Sequence, residues 1–133
     1  MYETSRQRKS IDSFVECMRP KQPRFLVLFG SLATGDFTDS SDADVFVVFD
    51  NAHDWLDVYA CSDGVVQPLV MSVDQMMRRL EDGDSLIHEM VGDGVLLFGA
   101  AESWQTVRAR SHQVQTCLQM IRHRNAWSYG SRR

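Results

Sequence analysis

Two rhythms of apolar residues alternate along this 133-residue chain: short continuous runs and stripes at helical spacing. Ile11, Phe14, Val15 and Met18 recur at i, i+3, i+4 and i+7, one apolar stripe of an amphipathic helix over residues 4–19. Pro20 and Pro23 end that helix and start the turn into a strand. Phe25-Leu26-Val27-Leu28-Phe29, bounded by Gly30, and Val45-Phe46-Val47-Val48-Phe49 read as two buried strands. Residues 52–61 form a short helix whose apolar surface comes from Trp55, Leu56, Val58 and Tyr59. A third strand covers Val65 to Met71, and Pro68 inside it calls for an edge position or an irregular segment. Ser72 caps a helix that turns Val73, Met76, Met77 and Leu80 inward; Gly83 breaks it. A second short helix, 84–91, buries Leu86, Ile87, Met90 and Val91, and Val95–Phe98 is the fourth strand. From Ala101 to about Arg124 a long helix carries Trp104, Val107, Val114, Leu118 and Ile121 on one stripe, with Arg108, Arg110, Arg122, His123 and Arg124 off it. Trp127 to Arg133 read as a mobile tail. Strands and helices in this sequence predict an α/β domain spanning residues 1–133.

Composition changes this picture little, and charge changes it more. A hydrophobic fraction of 44% and a charged fraction of 24% are those of an ordinary globular protein. No apolar run reaches the ~18 residues of a membrane span, and the polar start MYETSRQRKS has no apolar core of a signal peptide, so a cytoplasmic protein is expected. Cys17, Cys61 and Cys117 are odd in number and lack metal spacing; three reduced, partly buried thiols are expected. His88 and Glu89 have no spaced partner that would make a metal motif. The net charge of −4 hides a division: residues 36–102 hold 15 acids against Arg78 and Arg79, whereas 103–133 hold six arginines and no acid. The acidic middle suits a cation site, and the basic end suits an acidic partner or a second copy. Nucleic acid is not favoured, because no aromatic residues interleave with the basic ones in a recognisable module.

The chemistry concentrates between Arg24 and Asp50. Side chains at i and i+2 of a strand share a face, so Asp42 and Asp44 project together from the mouth of the second strand. Paired carboxylates repel unless a cation lies between them, and hard oxygen pairs suit Mg²⁺, which completes its shell with water and phosphate oxygens. Gly30-Ser31 stands where the first strand ends and a helical turn can begin, a place where backbone approaches a ligand closely and phosphate is attracted. Asp36 and Asp39 read as turn caps rather than metal ligands, and Ser41 as a brace for the Asp42 backbone.

Gly30-Ser31, ten intervening residues and Asp42-x-Asp44, flanked by two apolar strands, resemble the signature of the minimal nucleotidyltransferases of the DNA polymerase beta-like superfamily. Gly35, Ser41 and the later GDGVLLFG at 92–99 match as well. The resemblance implies the nucleotidyltransferase topology: a small mixed sheet of about four strands, with helices expected on one face and the site at the open edge where the first two strands end. It also implies metal ligation by Asp42 and Asp44, which would be the catalytic pair, and nucleotide binding by Gly30, Ser31 and Ser41. The activity implied is transfer of a nucleoside monophosphate, AMP from ATP with Mg²⁺, to an acceptor hydroxyl. Members of this family are often paired with a HEPN-domain protein as antitoxin and toxin, the acceptor being a tyrosine of the partner; a homo-oligomer is the other way to complete so short a chain. The alternative is a weakened domain that binds nucleotide or partner and inhibits by occlusion. It is favoured by one departure from the pattern: where the family takes a third carboxylate, residues 64–73 contain no acid and Gln67 occupies the region. Asp63 lies four residues earlier, ~13 Å along an extended strand, too far to substitute.

Overall fold

The computed structural model describes residues 6–36, 38 and 40–131. Helix α1 (Arg6–Met18) leads through a single 3-10 turn into β1 (Phe25–Phe29). A four-residue helix α2 (Ser31–Thr34) follows, then β2 (Ala43–Phe49), α3 (Trp55–Tyr59) and β3 (Val66–Ser72). The chain continues through α4 (Val73–Glu81), α5 (Ser85–Asp93), β4 (Val95–Phe98) and α6 (Ala101–Ser131). The strands form one mixed sheet in the order β3-β2-β1-β4. β1 runs antiparallel to β2 and to β4, and β2 runs parallel to β3. Pro68 therefore lies on an edge strand, where its missing N–H interrupts no second ladder. Ser72 forms a capping box with Gln75, its hydroxyl accepting from the Gln75 N–H at 3.1 Å.

Helices cover both faces of the sheet, not one. Leu26, Leu28, Val45 and Val47 pack against Ile11, Phe14, Val15 and Met18 of α1. Phe25, Val27, Phe46 and Val48 pack against Met76, Leu80, Ile87, Met90 and Trp104 from α4, α5 and α6. The physical reason is that β1 and β2 are apolar at successive positions, so each face carries its own core. Trp55, Leu56 and Tyr59 of α3 stay exposed, and only Val58 of that helix is buried.

Three further expectations change. Cys17 and Cys61 form a disulfide with a Cα–Cα distance of 5.6 Å, tying the end of α1 to the α3–β3 connection, and only Cys117 is free. The two halves of that bridge lie 44 residues apart and are brought together by α1 packing on the sheet. α6 continues to Ser131, since no proline interrupts 101–133 and Gly130 is the first glycine in it. Its stripe packs through Trp104, Val107, Ser111 and Val114, but Ile121 is exposed because the helix has by then passed the body of the protein. The tail expected from Trp127 is thus helical to Ser131, and residues 132–133 lie outside the described residues.

The basic face of α6 is partly consumed within the chain. Arg108 donates to the Val91 and Gly92 carbonyls at the end of α5, at 3.1 and 2.9 Å, and Arg110 pairs with Glu81. Charge reversal there would break intrachain contacts before any partner contact, which removes Arg108 and Arg110 as a separable partner surface. His88 is buried, joining the Ser111 hydroxyl at 2.6 Å and the Leu80 carbonyl at 2.8 Å, so it knits α4, α5 and α6 together. Among the described residues no helix is long and apolar enough to cross a membrane.

Candidate active site

Antiparallel pairing brings the end of β1 beside the start of β2, with Phe29 opposite Asp44. Directly opposed residues share a face, so Asp44 lies on the side of the sheet covered by α4, α5 and α6. Gly30 follows at φ 76° and ψ −151°, a backbone region that side chains disfavour. A Cβ at Gly30 would sit 2.8 Å from Asp44 Oδ2, so a larger residue is disfavoured by the backbone and would also push the carboxylate aside. Ser31 opens α2, whose first N–H groups have no acceptor inside the helix. The Ala33 and Thr34 N–H groups donate to the Gly30 carbonyl at 3.1 and 3.2 Å and close the turn.

Asp42 is exposed, one residue before β2, and Asp44 is half-buried. Burial, and then the charge of Asp42, push the Asp44 carboxyl above the usual range. These are hard oxygen donors held close enough to feel each other. Among the described residues no group of three or more His, Cys, Asp or Glu side chains converges as a metal cage. Two carboxylates are a donor set that could hold a cation which completes its shell from water and phosphate oxygens, the habit of Mg²⁺.

Parallel pairing sets Gln67 of β3 directly beside Asp44. Its amide donates to the Gly64 carbonyl at 2.9 Å. Asp63 does not join the site: its carboxylate accepts from the Ser10 hydroxyl at 2.5 Å and from the Val65 N–H at 3.0 Å. Those hydrogen bonds hold the Asp63 carboxyl below its usual range. Ser41 accepts from the Thr38 N–H at 2.9 Å, bracing the loop that delivers Asp42. Asp36 is exposed, and Asp39 lies outside the described residues.

Sequence reading missed Gln7. It is fully buried, and its amide donates to the Thr38 and Ser41 carbonyls at 3.0 and 3.1 Å, fastening α1 to the loop before Asp42. The signal was available, because Gln7 lies four residues before Ile11 on the same helical stripe. A cavity of about 350 Å³ opens beside Gly30 and Ser31, walled on its far side by α5.

A search among curated proteins finds no match. Solved structures do share the fold. A candidate nucleotidyltransferase from Sulfolobus solfataricus is 25% identical, with a TM-score of 0.52 over 71% of this chain and 81% of that one. A chain from a toxin–antitoxin complex with AMP-PNP is 17% identical, with a TM-score of 0.59 over 89% of this chain and 96% of that one. A chain from the complex of tri-AMPylated Shewanella oneidensis HEPN toxin with MNT antitoxin is 14% identical, with a TM-score of 0.57, covering 92% of this chain and 98% of that one. The model of the family described as polymerase beta, nucleotidyltransferase matches residues 13–103, from within α1 to the start of α6. With its mixed four-stranded sheet and Asp44 set against Gly30, this chain belongs to the polymerase beta nucleotidyltransferase family.

Proposed function

We propose that this chain transfers AMP from ATP to a hydroxyl of a partner protein, acting as the antitoxin of a HEPN-domain toxin. One observation carries the reading: the Asp42–Asp44 pair and the Gly30-Ser31 turn lie at the β1–β2 junction, where Phe29 pairs with Asp44 and a Cβ on Gly30 would fall 2.8 Å from Asp44 Oδ2. The toxin–antitoxin complexes that share the fold, one with AMP-PNP and one with a tri-AMPylated HEPN toxin, support the choice of nucleotide and acceptor.

In this reading Gly30 and Ser31 orient the terminal phosphates through backbone N–H groups and the serine hydroxyl. Asp42 and Asp44 would hold Mg²⁺, which when bound would neutralise the triphosphate and stabilise charge moving onto pyrophosphate. Ser41 and Gln7 keep the loop in place so that Asp42 faces the nucleotide. The acceptor oxygen attacks the α-phosphorus, the bond to the bridging oxygen of pyrophosphate breaks, and the acceptor proton must leave to a base. Gln67, beside Asp44, is an amide and cannot take that proton. The chain alone is therefore slow, and a bound partner closes the site or supplies a group. That same Gln67, with Asp63 held by Ser10, is what favours the second reading of a nucleotide- or partner-binding inhibitor.

Calorimetry with ATP and Mg²⁺ tests the site. Asp42→Asn with Asp44→Asn should abolish Mg²⁺-dependent binding and leave the fold intact. Equal ATP affinity in the double variant overturns the metal assignment.

A further inference from the structure

The Cys17–Cys61 bridge stands at the root of both segments that deliver Asp42. Cys17 lies near the end of α1, and Cys61 lies in the connection from α3 to β3. One path to the site runs along α1. At the far end of that helix the buried Gln7 donates to the Thr38 and Ser41 carbonyls at 3.0 and 3.1 Å, so α1 grips the chain just before Asp42. The other path runs along residues 61–66. The Val65 carbonyl accepts from the Ala43 N–H at 2.8 Å, just after Asp42, and Ala43 pairs with Val66 at the start of the β2–β3 ladder. A rung joins the two paths midway. Ser10 of α1 donates to the Asp63 carboxylate at 2.5 Å, and that carboxylate accepts from the Val65 N–H at 3.0 Å. Asp42 is thus held from both sides by segments that the bridge ties together. The Gly30-Ser31 turn stands outside this linkage, because its backbone hydrogen bonds run within residues 30–36.

Thiol–disulfide exchange needs an accessible sulfur, and Cys17 is exposed whereas Cys61 is partly buried against the core. A dithiol's thiolate attacks the Cys17 sulfur, the Cys17–Cys61 bond breaks and Cys61 leaves as thiolate. The reagent's second thiolate then closes its own disulfide and frees Cys17. Two electrons pass from the reagent to the protein, and both new thiolates take up protons near neutral pH. We propose that the Cys17–Cys61 bridge is a redox switch on the loop that carries Asp42. Oxidised, it clamps α1 to the 61–66 segment and holds Asp42 beside Asp44 for Mg²⁺; reduced, the loop spends less time in that place and Mg²⁺–ATP binds more weakly. This rests on the nucleotide reading given above and adds its regulation. The hydrogen bonds of Gln7, Ser10 and Asp63 remain after reduction, so the loop loosens while the fold persists. A loop competent about one tenth of the time lowers the apparent affinity about tenfold.

The test compares the full chain carrying Cys117→Ser, which removes the exposed free thiol, with its bridge oxidised and after reduction by excess dithiol. Thiol titration should find no reactive thiol before reduction and both Cys17 and Cys61 after it. Amide hydrogen exchange, which reads local opening, should quicken on reduction at Ser41 to Asp44 and not at Ser31 to Thr34. Calorimetry should show Mg²⁺–ATP bound about tenfold more weakly by the reduced chain, with the affinity restored by reoxidation. Reactive thiols in the oxidised chain overturn the proposal, because there is then no bridge to open. Equal Mg²⁺–ATP affinity in the two states overturns it, as does unchanged exchange at Ser41 to Asp44. Equal quickening at both segments, or loss of the helical circular dichroism signal on reduction, also overturns it, since the bridge would then hold the fold rather than the loop. If neither state binds Mg²⁺–ATP, the nucleotide reading itself falls. Exchange alone then decides the clamp, which stands if only Ser41 to Asp44 quicken and falls otherwise.

Discussion

Gly30→Ala separates two effects that coincide at one residue. The first is backbone strain: at φ 76° and ψ −151° a non-glycine residue costs about 1–3 kcal/mol. The second is contact, since the new Cβ would fall 2.8 Å from Asp44 Oδ2 and the carboxylate must move. Gly35→Ala is the control. Gly35 has φ 89° and ψ 2°, and nothing lies within 4 Å of its notional Cβ, so only strain of about 1–2 kcal/mol applies. Urea unfolding should show both variants destabilised. Only Gly30→Ala should interact with Asp44→Ala in a double-mutant cycle, with a coupling of about 0.5–3 kcal/mol. Calorimetry should then show Mg²⁺–ATP binding lost in Gly30→Ala and kept in Gly35→Ala. Zero coupling, together with equal ATP affinity in the two glycine variants, would refute the claim that Gly30 makes room for the Asp44 carboxylate at the site.

Other outcomes follow from the same geometry. Gln67→Asp places an acid beside Asp44 and should raise partner-free transfer, by up to about 10²–10⁴-fold if it serves as general base; an unchanged single-turnover rate would contradict this. Cys17→Ser, or reduction by excess dithiol, opens a 44-residue loop and should cost about 4 kcal/mol by the chain-entropy relation, read as a lower urea midpoint. Stability should also fall on acidification: hydrogen bonds lower the carboxyls of Asp57, Asp63, Glu81 and Asp84 in the folded state. Each thus stabilises the fold above the ordinary carboxylate range and loses that contribution as pH falls through its folded-state value. Urea midpoints that stay constant from neutral pH to about pH 3 would count against those contacts.

How much of this was legible beforehand depends on how local each feature is. β1, β2 and β4, the Ser72 cap and the edge position of Pro68 follow from neighbouring residues alone, and all appear. Helices were expected on one face only, although Phe25–Phe29 and Val45–Phe49, apolar without alternation, already called for cover on both. Gln67 was identified as the residue where an acid is missing, and parallel pairing sets it beside Asp44. The Cys17–Cys61 bridge was not legible, because the pair meets only through the packing of α1 against the sheet. Gln7 was hidden by its polarity: an amide on an apolar stripe looks like an exception until the loop carbonyls it serves are in place. The α5 wall was hidden in the same way. Leu86 and Met90 read as core and Glu89 only as lacking a spaced metal partner, and only the fold shows that one stripe of α5 faces the Gly30-Ser31 turn.

The central claim is transfer through the Gly30-Ser31 and Asp42–Asp44 site, and following the label tests it most directly. The full chain would be mixed with a HEPN-domain partner, Mg²⁺ and ATP labelled on either the α- or the γ-phosphorus. The account predicts that α-label becomes covalently attached to a partner tyrosine while γ-label leaves with pyrophosphate, and that Asp42→Asn with Asp44→Asn abolishes the transfer. Attachment of γ-label, or undiminished α-label transfer by the double variant, would contradict it.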